Sequence, residues 1–272
     1  MSSTAASPNV LITGASQGAG RATALRFAQA GYGVALAARR ADRLEAVAEE
    51  IRGLKQAAIA IPTDVGEATQ VKALVQKAIA SLGSIDVLVN NAGICLTGPA
   101  EYTSLADWQA LLNTNLWGCI HTIEALLPHF LERGQGSIVN LGSFGGKMPL
   151  PQMTAYCTSK YAVTGLSNTL RLELAPKGIH VAVVHPGVIN SDFLERAQFR
   201  GSSEAEAKRR QARMSETLKA GWVSQPEEIA EAVWQAVVKR QAEVVVGPAT
   251  IATEAYRLFP QLTQWALRQA NS

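Results

Sequence analysis

Histidine, cysteine and aromatic residues are scarce in this chain of 272 residues: four His, three Cys, and 6% Phe, Trp and Tyr together. Cys95, Cys119 and Cys157 are odd in number and show neither CxxC nor metal-ligand spacing, which argues against a disulfide framework and fits a reducing compartment. His121, His129, His180 and His185 do not combine with neighbouring carboxylates at ligand spacing, so no metal site is expected. No apolar run approaches the ~18 residues that suggest a membrane span, and the opening MSSTAASPN lacks the apolar core of a signal peptide. Charged residues make up only 17%, the net charge is +3, and no block of one sign resembles a basic arm for nucleic acid. The expected protein is cytoplasmic, with neither nucleic acid nor a membrane span among its partners.

What the chain has in quantity is apolar material, 47% of its residues, enough to fill one large core. It is distributed as short Val/Ile/Leu-rich runs at 9–13, 32–38, 57–61, 86–90, 137–141, 179–184 and 243–247. Between them lie segments of helical periodicity, among them 41–52, 67–81, 105–131, 155–175 and 226–239. Runs that are continuously apolar, rather than alternating, belong to strands covered on both faces. The expected fold is therefore α/β: one Rossmann-type, doubly wound parallel sheet of about seven strands with helices on both faces.

No linker divides the sequence, so residues 1–272 are expected to form a single catalytic domain. The less apolar stretch 187–225 stands out as a substrate loop, either a lid over the carboxyl edge of the sheet or a solvated surface helix. The tail at 250–270 carries a helical apolar stripe at 251, 255, 258, 262 and 265 or 266, interrupted near Pro260. Packing against the core or a neighbouring subunit is expected for it, since Arg257 and Arg268 alone supply positive charge.

Three stretches carry chemistry. The first strand runs into TGASQGAG, where Gly14, Gly18 and Gly20 remove Cβ atoms at the start of the first helix, so that a pyrophosphate can reach backbone N–H groups. The spacing is GxxxGxG rather than GxGxxG, and its place after the first strand supports dinucleotide binding. The second strand ends in Ala37, Ala38, Arg39 and Arg40, where an NAD enzyme wants a carboxylate for the ribose 2′-hydroxyl. A guanidinium can instead grip a 2′-phosphate bidentately, so the expected cofactor is NADP(H). The third stretch is MTAYCTSK, which puts Tyr156 and Lys160 on one helical face, one turn apart.

These motifs, in this order, resemble the short-chain dehydrogenase/reductase family over essentially the whole chain: TGASQGAG its cofactor loop, NNAG (Asn90 to Gly93) the segment after its fourth strand, YCTSK its YxxxK signature and PGVINS (Pro186 to Ser191) its PG motif. The resemblance implies an NADPH-dependent carbonyl reductase, running in reverse as an alcohol dehydrogenase. In that scheme Tyr156 is the acid/base, and Lys160 favours its ionised form and binds the nicotinamide ribose. Ser143 holds the substrate oxygen, and Asn115 supports a proton relay to the lysine. The cofactor would be held by Gly14, Ser16, Gln17, Gly18, Ala19, Gly20, Arg39, Arg40, Asp64 and Val65. Asn91, Ala92, Gly93, Pro186, Gly187, Val188 and Ser191 complete that set, with Asp64 near the adenine and the Val188 backbone on the carboxamide.

Three positions depart from the family pattern: Ala19 stands for a commoner Ile, Ser191 for a Thr, and Gln17 for a basic residue frequent in NADP enzymes. Leu96, Phe144, Met148, Leu150, Met153 and Phe193 are candidates for the pocket wall, and their apolar character suggests a hydrophobic ketone or acyl chain. Cys157 is expected to turn away from the site and His185 to satisfy a strand end. A homodimer or homotetramer through 105–131 and 155–175 is implied by the same resemblance. A catalytically idle NADP-binding scaffold is the alternative of another class, against which the intact Asn115, Ser143, Tyr156 and Lys160 set argues. A reductase held at a membrane surface by its tail is a third.

Overall fold

The computed structural model describes residues 7–189, 197–218 and 223–269. Seven strands form one sheet: β1 (Asn9–Thr13), β2 (Gly33–Ala38), β3 (Ala58–Pro62), β4 (Val87–Asn90), β6 (Gly136–Leu141), β7 (Ile179–His185) and β9 (Glu243–Val245). Their order is β3-β2-β1-β4-β6-β7-β9 and every pairing is parallel. The chain reverses direction across the sheet between β1 and β4, and in such sheets ligands lie beyond the carboxyl ends of the strands at that point.

Side-chain alternation explains why the strand runs are apolar throughout. Val10, Ile12, Val34, Leu36, Val87 and Val89 face one layer, built from α1 (Gly18–Gln29), α2 (Ala41–Gly53) and α8 (Pro226–Val238). Leu11, Ala35, Ala37, Leu88 and Ile138 face the other, built from α3 (Ala68–Leu82), α5 (Gly118–Arg133) and α6 (Thr154–Leu174). Both faces are covered by helices, so both sets of alternate positions are predominantly apolar.

The polar exceptions are paired. Thr122 on α5 donates to Asn90 Oδ1 (2.6 Å), Asn90 Nδ2 to Asn140 Oδ1 (2.9 Å), and Asn140 Nδ2 to Ser167 Oγ on α6 (2.9 Å). This chain of buried amides and hydroxyls crosses β4 and β6 and fixes α5 and α6 against the strand ends that carry the site.

The expected helix 105–131 is three pieces: α4 (Leu105–Leu112), a π-helical turn (Asn113–Trp117) and α5. The wider turn seats Asn115 among partners in the fold, and single π turns of this kind frequently mark functional sites. Two three-residue strands, β5 (Cys95–Thr97) and β8 (Ala197–Phe199), form a separate parallel pair with Cys95 opposite Ala197 and Thr97 opposite Phe199. Strands this short carry no readable period.

After β8, residues 204–217 form α7 (Glu204–Thr217), capped by the Ser203 hydroxyl. The tail forms α9 (Ala249–Leu258) and α10 (Pro260–Gln269), divided where the proline was expected to interrupt it. Its stripe does not pack on this chain's core, contrary to one expectation: Ile251, Leu258, Leu262 and Trp265 are all more than half exposed. In α9 only Ala249 and Thr253 are buried, and in α10 nothing is.

Replacing Asn140 with leucine removes the acceptor of the buried Asn90 amide, and an unpaired buried donor costs about 1–3 kcal/mol. Urea unfolding of Asn140→Leu is expected to show a lower midpoint by a loss of that order, with an unchanged slope.

Candidate active site

The site starts from a close approach of loops at the ends of β1 and β4. Gly14 has φ +65°, and an added Cβ would lie 2.8 Å from Ala92 Cα; at Gly20 it would lie 2.2 Å from Gly14 O and 2.4 Å from Asn91 Nδ2. Asn91 uses its amide here, donating to Thr13 O and Gly14 O at 3.0 Å each, while Thr13 Oγ1 accepts from the N–H groups of Asn91 and Ala92. Of the expected cofactor residues, Asn91 thus shapes the loop. Helix α1 then opens at Gly18 with no side-chain cap and no acid in its first turn, which leaves the helix dipole to an external anion.

A cavity of about 220 Å³ lies against this loop, lined by Gly14, Ser16, Gln17, Arg39, Arg40, Thr63, Asp64, Val65, Ala92, Gly93 and Thr114 among others. Asp64 is held by its own turn, Oδ1 accepting from Gly66 N–H at 2.9 Å. The two arginines differ. Arg40 pairs with Asp42 at 2.9 Å, and this ion pair holds the Asp42 carboxyl below the usual carboxylate range. Arg39 has no ion-pair partner among the described residues. Arg43, which sequence reasoning missed, donates to Gln17 Oε1, and Gln17 Nε2 is buried without a hydrogen-bond partner among the described residues. An unpartnered amide donor beside a cationic side chain and an uncapped helix N-terminus fits a phosphorylated dinucleotide.

A second cavity, about 380 Å³, shares Gly93 and Ile94 with the first. Ser143, Tyr156 and Lys160 line it together with Ala19, Asn91, Pro186, Gly187 and Val188. Ser143, two residues beyond β6, caps the short 3₁₀ turn Phe144–Gly146, its Oγ accepting from Gly145 N–H at 3.1 Å. That bond uses a lone pair and leaves the hydroxyl hydrogen to point elsewhere. The turn lies flat on α6: a Cβ at Gly146 would meet Lys160 O at 2.7 Å.

Tyr156 and Lys160 sit on the first turns of α6, with Lys160 Nζ 5.9 Å from the centre of the Tyr156 ring. Lys160 is buried, and its ammonium donates to Leu141 O at 2.8 Å. Asn115, 1% exposed, accepts from Ile94 N–H (2.8 Å) and donates to Ile94 O (2.9 Å) and Ser159 Oγ (3.0 Å); Ser159 in turn donates to Tyr156 O (2.7 Å). A single amide therefore ties the wall between the two cavities to the helix that bears the tyrosine. Burial pushes the Cys157 thiol up, which disfavours a nucleophilic thiolate beside the tyrosine.

The remaining wall is apolar. Phe144, Leu150 and Met153 line the cavity as expected, joined by Ile94, Pro151 and Ile189. Leu96 and Met148 do not: both are buried, and Leu96 packs with Leu111 and Ala155 behind the site. Phe193 and Ser191 lie outside the described residues. Met214 and Leu218, one turn apart on and just after α7, also line the cavity. Their signal was a lone i, i+4 apolar pair on an otherwise charged helix.

The segment before α7 is fastened by Arg200, whose guanidinium forks onto Asp107 Oδ1 (2.6 Å) and Oδ2 (3.1 Å), while Arg200 N–H donates to Thr97 O. Asp107 also completes the capping box of α4 with Ser104. The Arg200 guanidinium holds the Asp107 carboxyl below the usual carboxylate range.

The family model for short chain dehydrogenases matches residues 8–200. The chain is 40% identical over 186 residues to a 3-oxoacyl-(acyl-carrier-protein) reductase of Staphylococcus epidermidis, covering 68% of this chain and 76% of that one. It is 32% identical over 264 residues to "Dehydrogenase/reductase SDR family protein 7-like" of Drosophila melanogaster, covering 95% and 78%. Among solved structures, a short chain dehydrogenase/reductase of Burkholderia phymatum in complex with NAD superposes with a TM-score of 0.83 at 27% identity, covering 93% of this chain and 95% of that one.

A depressed carboxylate contributes stability that is fully present above its unfolded value, about 3.9 for aspartate, and lost as pH falls through its lower folded value. Arg200 stays charged throughout. Asp107→Asn is expected to flatten the acid limb of a stability profile below about pH 4, measured by thermal unfolding between strongly acidic and neutral buffers.

Proposed function

The chain belongs to the short-chain dehydrogenase family, and on that premise we propose that it is an NADPH-dependent carbonyl reductase acting reversibly on an uncharged, hydrophobic ketone or secondary alcohol. The observation that carries this reading is the 380 Å³ cavity in which Ser143, Tyr156 and Lys160 meet an apolar wall, Lys160 being the one charged side chain among its described lining residues. A substrate of that size and polarity suits it. When bound, reduced nicotinamide supplies the hydride.

The chain's own residues manage the oxygen. Carbonyl reduction builds negative charge on that atom, and the Ser143 hydroxyl donates a hydrogen bond to it while the Tyr156 hydroxyl gives it a proton. The Lys160 ammonium, 5.9 Å from the tyrosine ring, offsets the phenolate charge that remains. Asn115 acts on the same helix through Ser159, holding the Tyr156 backbone in place. Apolar side chains of the wall exclude water from the reacting centre.

NADPH is the proposed cofactor because Arg39, with no ion-pair partner among the described residues, faces the 220 Å³ cavity together with the unpartnered Gln17 amide. Gly14, Ser16, Gly18, Ala19, Gly20, Asp64, Val65, Ala92 and Gly93 would hold the dinucleotide between them, and Pro186 to Val188 its nicotinamide end. Residues 1–272 would act as one catalytic domain in the cytoplasm. A homodimer or homotetramer would cover the exposed Trp117, Tyr161 and Leu172 on the π turn and α6.

Loss of reduced-cofactor absorbance with aliphatic and aromatic ketones tests the reading. Tyr156→Phe is expected to lose roughly a hundredfold or more in kcat, the scale of a general acid; wild-type turnover by that variant would refute the mechanism. Arg39→Ala is expected to raise KM for NADPH about tenfold or more, the scale of a charge-assisted hydrogen bond, and to leave NADH use little changed. An NADH preference in the wild-type protein would refute the cofactor assignment.

A further inference from the structure

One buried titratable group plays no part in the chemistry above. His185, the last residue of β7, is wholly buried, and its Nδ1 lies 2.9 Å from the main-chain oxygen of Ser143. A carbonyl only accepts, so Nδ1 carries the hydrogen. The ring presses against the same loop from below: a Cβ at Gly142 would fall 2.6 Å from Nδ1.

The other face of the imidazole meets charge. Nε2 lies 3.2 Å from Glu243 Oε1 on the edge strand β9, and Lys147, just beyond the turn that Ser143 caps, bonds the same carboxylate oxygen. Among the described residues Nε2 has no hydrogen-bond partner, so in the neutral ring its lone pair faces the Glu243 carboxylate, an opposition that the Lys147 ammonium on the same oxygen offsets. Burial pushes the imidazole towards its neutral form, while the carboxylate of Glu243 opposes this and the ammonium groups of Lys147 and Lys160 support it. Arg171 on α6 adds positive charge at Glu243 and donates to Ala242 O. The contacts close a ring: Ser143 to His185, His185 to Glu243, Glu243 to Lys147, and Lys147 back along the 3₁₀ turn to Ser143.

We propose that His185 is a positioning residue, which through Nδ1–H and the Ser143 carbonyl sets the direction of the Ser143 hydroxyl towards the substrate oxygen. The proposal rests on the reading of Ser143 as the donor to that oxygen. Fixing the carbonyl side of Ser143 matters because its hydroxyl is already committed on one side to Gly145 N–H, so rotation of the peptide carries the free hydrogen with it. Misplacement of a catalytic group by about 1 Å can cost on the order of a hundredfold in rate.

Two amides separate the two nitrogens. Asparagine puts a donor near the place of Nδ1, and glutamine near that of Nε2. His185→Asn is expected to keep kcat within about threefold of wild type, and His185→Gln to lose roughly thirtyfold or more, with NADPH affinity by fluorescence changed less than about twofold in both. In a Ser143→Ala background, His185→Gln is expected to add no further loss, since residues acting through one group are not additive.

Equal kcat for the two His185 variants, a matched loss of cofactor affinity, or a full additional loss on top of Ser143→Ala would overturn the proposal. If Ser143→Ala itself keeps wild-type kcat, the donor reading falls and this inference with it; if only the His185 pair is indifferent, the donor reading stands alone. Should His185→Gln not fold, imidazole nitrogen-15 shifts of the wild-type protein decide, since hydrogen on Nε2 alone contradicts the proposal and hydrogen on Nδ1 alone supports it.

Discussion

The buried amide of Asn115 is the constraint on which the site depends. It sits in a π turn, where its three hydrogen bonds reach both main-chain groups of Ile94 and the hydroxyl of Ser159. Ile94 belongs to the wall shared by the two cavities, and Ser159 lies between Tyr156 and Lys160 on α6. An α-helical turn in place of the π turn would rotate the side chain away from at least one partner. Position and orientation of the tyrosine therefore follow from a local irregularity of the backbone, held by bonds that burial makes costly to break.

Electrostatics divide the labour between the cavities. One is bordered by Arg39, Arg40 and an uncapped helix, and the other is mostly apolar, with one buried ammonium among its described lining residues. Charge that a ligand brings into the first meets donors already in place. In the second, low polarity would strengthen each hydrogen bond to the oxyanion of the proposed reaction. A fixed cofactor side beside a variable wall would let one fold serve different substrates.

The strands were legible because both sheet faces are covered by helices, so that Val10 and Leu11, facing opposite layers, are equally apolar. Gly14, Gly20, Tyr156 and Lys160 could be picked out as candidates because a missing Cβ or a one-turn spacing can be counted along the chain. The π turn was not, since a wider turn uses the same residue types as the helix around it. Met214 and Leu218 reach the cavity from α7 through tertiary packing, and Leu96 was misread because β5 turns it towards Leu111. Arg39 and Arg40 looked equivalent until Asp42 was seen to engage one of them. The tail's apolar stripe was read correctly as helical, while its surroundings are set by contacts beyond sequence periodicity.

Hydride transfer from nicotinamide to a carbonyl carbon is the central claim, and isotope transfer tests it most directly. NADPH deuterated at C4, in each of its two stereochemical forms, is incubated with the protein and a hydrophobic ketone, and the alcohol is weighed by mass spectrometry. The account predicts deuterium at the carbinol carbon from one of the two forms and none from the other, with formation of that alcohol strongly reduced in Tyr156→Phe. Alcohol without deuterium from either form, or no alcohol from any ketone that the cavity can hold, would contradict it.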